Sequence, residues 1–138
     1  MNLPDAHVAV LQTFARMKAL YGSPVFNEWV LVKVASESGA VLAYDGPRAD
    51  LYQANFKKDI APLQAELETR KMSVGDFEFV NEAHGTFFDA CIRLGPGAYL
   101  FCNNTTKSMK DIRRDPKWLA AQEPFVELSA KFRADPLA

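Results

Sequence analysis

The chain has 138 residues, 49% hydrophobic and 24% charged, with a formal net charge of −1. That length suits one ordinary domain and is short for two, and the near-neutral balance excludes a bulk pull toward nucleic acid or an anionic membrane while leaving room for a local basic patch. Two cysteines, Cys91 and Cys102, are too few for a disulfide framework, and His7 and His84 lie too far from them in sequence to complete a zinc motif.

The first segment predicts a helix. Pro4 and Asp5 suit a first helical turn, and Val10, Phe14, Met17 and Tyr21 recur at helical spacing until Gly22 and Pro24 end the run. Trp29 to Val34 is rich in strand formers, Ser36 to Gly39 is a turn cluster, and Val41 to Tyr44 returns as a second strand. A helical stretch follows from about Ala49 to Arg70. Pro62 lies inside it and requires a kink or a break into two short helices. Glu66 and Arg70 are spaced as a favourable pair one turn apart.

Three strands come next, Asp76–Val80, Thr86–Leu94 and Ala98–Cys102, with His84-Gly85 and Gly95-Pro96-Gly97 as turns. Phe88, Ala90, Ile92 and Leu94 alternate onto one face, Phe87 and Cys91 onto the other. A four-residue loop pairing Leu94 with Tyr99 would set Cys91 opposite Cys102. Ser108–Arg113 predicts a short helix, Asp115-Pro116 opens another through Gln122, and Glu123-Pro124 kinks or restarts it. The tail from Ala134 is expected to fray. The expected fold class is α+β: a central five-stranded antiparallel sheet with helices on both faces, in the order α-β-β-α-β-β-β-α, forming one domain over residues 1–138.

Neither a phosphate-cradling loop nor a nucleophile elbow is present. Strand cysteines among Phe and Ile read as core thiols, and the acids Asp45, Asp76, Glu78, Glu82 and Asp89 as solvated strand faces. The expectation is a non-enzymatic protein with no catalytic residues, metal or cofactor. Asn103, Asn104, Thr105, Thr106 and Lys107 are the candidate binding loop. N–H groups at the following helix start would favour an anion beside Lys107, with Asp89, Arg93 and Asn103 expected nearby; the same residues also suit plain capping. Lys107, Lys110, Arg113, Arg114 and Lys117 cluster around that helix, diluted by Asp111 and Asp115. Trp29 and Trp118 are candidate interface anchors, although Trp29 opens a strand and reads as core.

In element order and in the hairpin Val30–Val34, Glu37-Ser38-Gly39, Val41–Ala43, together with the closing hairpin Cys91–Cys102, the chain resembles the roadblock/dynein-light-chain-type fold, within a wider group that includes longin and profilin-like domains. The resemblance implies a homodimeric protein-interaction or regulatory module. The Ala49–Arg70 helix and Asp76–Val80 strand would form the dimer contact, which assigns Phe56, Ile60, Leu63, Leu67, Phe77 and Phe79 to it. It further implies a platform for small Ras-like GTPases. Pro62 departs from the family's continuous middle helix, and Pro116, Trp118 and Pro124 break the closing one.

An alternative reading is a ligand-binding sensor with a pocket between the sheet and the C-terminal helices, lined by Phe77, Phe79, Phe88, Phe101, Phe125 and Phe132. Met1–Asp5 lacks the basic start of a secretory signal, and no apolar run approaches the roughly 20 residues of a membrane span. The expected location is cytoplasmic, with no nucleic-acid or membrane partner.

Overall fold

The first helix, α1 (Leu3–Tyr21), starts at Asn2, whose side chain accepts the Asp5 N–H at 2.8 Å. It ends at Gly22, which adopts the left-handed conformation (φ 94°) and returns its N–H to the Lys18 carbonyl. In this computed structural model residues 1–35, 38–47, 50–55, 58, 61–79 and 88–138 are described. Within them the strands are β1 (Glu28–Ala35), β2 (Ser38–Asp45), β3 (Phe77–Phe79), β4 (Ala90–Gly95) and β5 (Ala98–Asn103). The further helices are α2 (Asp50–Ala54), α3 (Ala61–Thr69), α4 (Met109–Arg114), α5 (Trp118–Ala121) and α6 (Glu123–Ala134). The expected middle helix is represented by two described helices, α2 and α3, and Pro62 sits in the first turn of α3, where its missing N–H removes no helical hydrogen bond. Pro124 likewise opens α6.

The sheet has the order β2-β1-β5-β4-β3, and every neighbouring pair is antiparallel. Strand alternation divides its side chains between two cores. Trp29 and Leu31, Ala90, Ile92 and Leu94, and Ala98, Leu100 and Cys102 pack with α1, α4, α5 and α6. Val30, Val32, Cys91, Tyr99 and Phe101 pack on the other face with Tyr52 of α2, Leu67 of α3, Met72 shortly after it and Phe88 just before β4. An α+β sheet apolar on both faces is thus covered on both.

Three details differ from the sequence expectation. The strand expected from Thr86 begins at Ala90, and Thr86 and Phe87 fall outside the described residues. Phe88 precedes the strand, so alternation does not govern it; it joins the second core instead of the face of Ala90. The β4–β5 register pairs Cys91 with Phe101 and Ala90 with Cys102. Gly95 pairs with Ala98, which continues the expected register of Leu94 with Tyr99; the change comes at an irregularity between Arg93 and Gly95, which shifts every pair beyond it by one residue. Pro96 followed by Gly97 at φ 67° is the pattern of a tight type II turn. One residue of slip exchanges the faces, so the two thiols lie on opposite sides of the sheet, each buried in a different core.

The tail from Ala134 is also packed, not frayed. Leu137 is buried, its N–H donates to the Leu94 carbonyl at 2.9 Å, and Lys33 Nζ reaches the Ala138 carbonyl at 2.9 Å. The tail crosses directly over Gly95, where an added Cβ would stand 2.3 Å from the Leu137 carbonyl oxygen. Gly95→Ala is therefore expected to displace the tail or the β-turn and to lower the unfolding free energy by about 1–3 kcal/mol. A urea midpoint equal to that of the wild type would contradict this crossing.

Candidate functional site

The loop from Asn103 to Ser108 joins β5 to α4 and holds itself closed. Asn104 Oδ1 accepts the N–H groups of Thr106 (2.9 Å) and Lys107 (2.7 Å) and the Thr106 hydroxyl (3.0 Å). Its Nδ2 donates to the carbonyls of Pro24 and Val25. Thr105 N–H donates to Asn27 Oδ1 at 2.9 Å, and Asn27 Nδ2 returns a bond to the Thr105 hydroxyl at 2.8 Å. The Asn104 N–H goes to Asp89 at 2.7 Å. Every backbone N–H from Asn104 to Lys107 thus has an internal acceptor. Ser108, not the asparagines, caps α4 by accepting the Asp111 N–H. Of the neighbours expected across the hairpin, Asp89 is present; Arg93 lies at the far end of β4, beside Tyr99 and the Met72 carbonyl.

Asn103 belongs to a buried polar cluster that local sequence patterns do not reveal. Its Oδ1 accepts the Asp89 N–H at 3.0 Å, while Nδ2 lies 3.4 Å from both Glu28 Oε1 and the Tyr52 hydroxyl. The Tyr52 hydroxyl donates to the Glu28 carboxyl group. Glu28 is wholly inaccessible to solvent and Asn103 nearly so. A buried carboxyl group needs such donors, because desolvation without them costs several kcal/mol, on the order of the transfer penalty for polar groups. The cluster ties the first residue of β1, the last of β5 and the short α2 into one corner. Alternation from core Trp29 places Glu28 on the second face, but nothing near it in sequence announces Tyr52 or Asn103.

Lys107 leaves this loop toward α1. Its Nζ donates to the Tyr21 hydroxyl at 3.0 Å, a bond that raises the lysine pKa, and lies 5.4 Å from the centre of the tyrosine ring. Lys117 Nζ stands 4.9 Å from the same ring centre. Asp115 completes the group, with Oδ2 3.5 Å from the Tyr21 hydroxyl and 4.0 Å from Lys117 Nζ.

The second candidate region, α3 with β3, is fastened to the sheet by polar contacts. Glu68 accepts the Tyr99 hydroxyl at 2.6 Å and stands 3.6 Å from Arg93, while Arg70 pairs with Glu78 at 2.6 Å. Burial and the Glu68 carboxylate together push the Tyr99 phenol well above its usual range. Burial likewise pushes the Cys91 thiol up to about 12, reinforced by Glu78, and raises Cys102 well above its usual value. Neither thiol has the lowered pKa of a nucleophile. Of the six residues assigned to a dimer contact, Phe56 and Ile60 lie outside the described residues, and Leu63 is placed in α3 by its backbone only. Leu67 is buried in the second core. Phe77 and Phe79 are half-buried and turn to the helical layer, with ring centres 5.5 and 5.3 Å from that of Phe125. Glu82 and His84 lie outside the described residues, as does the side chain of Glu66.

The space between the sheet and the C-terminal helices is filled by side chains, with Phe125 and Phe132 fully buried there. A groove of about 180 Å3 opens instead between α1 and α6, over Ala9, Thr13 and Leu128 and between Arg16 and Lys131. Among the described residues no three His, Cys, Asp or Glu side chains converge as metal ligands would, and no helix is long and apolar enough to cross a membrane. Compared with known protein families, with curated proteins and with solved structures, the chain matches none.

Proposed function

We propose that the protein is a non-enzymatic interaction module that works as a homodimer, with a second copy docking along α3 and the edge strand β3. The observation that carries this reading is the strand order, which leaves β3 at the margin of the sheet with α3 leading into it. An edge strand carries main-chain donors and acceptors directed away from its one neighbour, and these are ready to pair with another strand. The Arg70–Glu78 bond ties the residue after α3 to β3, and the Glu68–Tyr99 bond ties α3 to β5, so helix and edge strand are both held to the same sheet. Along α3, Pro62, Ala65 and Thr69 are exposed at i, i+3 and i+7, a stripe of small residues on one face against which a second helix can pack closely. By the resemblance already described, the dimer would serve as a platform for a small GTPase.

Light scattering over a dilution series from 100 µM to 1 µM, on the order of usual dimer affinities, tests the reading. The expected result is a mass twice that of one chain, falling to one chain in Ala65→Glu. That substitution is the clean probe because it adds charge to the exposed stripe without entering either core. A wild type that stays monomeric at the highest concentration overturns the proposal.

A further inference from the structure

We infer that the face formed by the end of α1, the Asn103–Ser108 loop, α4 and the start of α5 docks an acidic segment of a partner protein. The inference names the partner chemistry of the interaction module proposed above, and it rests on that reading for the partner's being a protein. Lys18, Lys107, Lys110, Arg113, Arg114 and Lys117 are all exposed on these elements. Asp111 and Asp115 are the acids among them in sequence, and the rest of the chain carries more acids than bases. A chain of net charge −1 thus places six of its sixteen Lys and Arg residues against two acids on these elements, a local charge asymmetry of the kind that steers an oppositely charged partner to a chosen face.

The arrangement of two of these lysines separates the patch from an ordinary solvated surface. An exposed lysine normally keeps its rotamer freedom and loses it on binding. Here Lys107 and Lys117 both lie against the ring of the buried Tyr21, and Lys107 also donates to its hydroxyl. Residues 86 positions apart in sequence are needed to make that one hydrogen bond. An incoming carboxylate meets ammonium groups already ordered in place by the ring and its hydroxyl. The same elements carry apolar surface to bury: Leu20, next to Tyr21, is 46% exposed, and Leu119, two residues after Lys117, is 74% exposed, the most open of the large apolar side chains among the described residues. Acidic groups flanking an apolar residue are the complement of this pattern.

A protein segment fits better than the two polyanions that also seek cations. Asp111 is exposed within the patch and Asp115 is partly so. A bilayer or a phosphate backbone sets uniform negative charge against those carboxylates, whereas a protein partner can place a donor or cation opposite each. Nor does the face offer aromatic surface for base stacking, since Tyr21 and Trp118 are both buried.

The test titrates the full chain into a fluorescein-labelled ten-residue peptide of alternating Glu and Asp with one central Leu, followed by anisotropy at two salt concentrations. Four proteins are compared: the wild type, Lys107→Glu/Lys117→Glu, Tyr21→Phe, and Arg16→Glu/Lys131→Glu. The last makes the same change in net charge at the α1–α6 groove. The expected result is salt-sensitive binding by the wild type, about tenfold or more weaker in Lys107→Glu/Lys117→Glu. The groove variant should stay within about threefold of the wild type, and Tyr21→Phe, which releases Lys107 but keeps the ring, should fall between. No wild-type binding, or equal losses in both double variants, overturns the inference. So does retention on phosphatidylserine vesicles that depends on Lys107 and Lys117 and exceeds peptide binding, because the face would then be a membrane contact. Light scattering on the same samples keeps the two proposals apart: a monomer that binds the peptide removes the dimer and leaves the patch, and a dimer that ignores it does the reverse.

Discussion

Phe125→Ala is expected to lower the unfolding free energy by about 3–5 kcal/mol, the usual loss when a fully buried phenylalanine is truncated. The ring is completely buried on α6 and touches three others, Phe26, Phe77 and Phe79, at centroid distances of 5.7, 5.5 and 5.3 Å. Removing it takes away the transfer energy of the ring and leaves a hole that four elements must collapse into. These are α6, β3, the segment before β1, and α5, whose Trp118 edges against Phe79 at 5.0 Å. Because β3, among the described residues, has three residues and one neighbouring strand, its hold on the sheet depends on those two phenylalanines more than on its hydrogen bonds. The same substitution should therefore also speed amide exchange at Phe77–Phe79 more than at β1 or β5. Chemical denaturation gives the first quantity and exchange the second; a loss under 1.5 kcal/mol, on the lower margin for isosteric core changes, would mean that the α6–β3 packing is wrong.

The two thiols are expected to be inert in the folded protein and reactive in the unfolded one. Burial raises Cys91 from 9.0 to about 12, so its thiolate fraction near pH 8 falls about a thousandfold even before steric exclusion is counted. Cys102 is shifted in the same direction. A colorimetric disulfide reagent should find no thiol in the native protein over the time in which it titrates two in denaturant. Mild oxidation should form no Cys91–Cys102 bridge within the folded chain, because the sheet stands between them. The stability consequence has a definite sign. The folded pKa is the higher one, so the contribution is complete below pH 9 and is lost as pH rises from 9.0 toward about 12. Over that window the slope is roughly 1.4 kcal/mol per pH unit for each fully buried thiol. Cys91→Ala should flatten the alkaline limb of the stability profile. Rapid labelling of either thiol in the native state, or an alkaline limb unchanged by the substitution, would show that the burial is wrong.

What the residues determined by themselves was the inventory and the class. Pro62 and Pro124 broke helices where a missing N–H must fall in a first turn, Gly22 ended α1 where a left-handed residue was needed, and the β-rich runs around Val30, Ile92 and Leu100 became strands. Those outcomes depend on interactions within a few residues, so they can be read along the chain. The two-faced apolar pattern of the central strands likewise required helices on both sides. The β4–β5 register could not be read that way. It turned on an irregularity in the ladder between Arg93 and Gly95, beside which the tail at Leu137, 42 positions on, occupies the space that a side chain at Gly95 would fill. The loop Asn103–Lys107 showed its composition in the sequence but not its bonding. Asn27, Asp89 and Tyr21 come from other elements to take up its donors and its lysine. The Glu28–Tyr52–Asn103 corner and the pairing of Lys107 with Lys117 on one ring are of the same kind. Each is made by residues tens of positions apart whose side chains meet only after the sheet has set its order, and no local periodicity encodes which distant partner arrives.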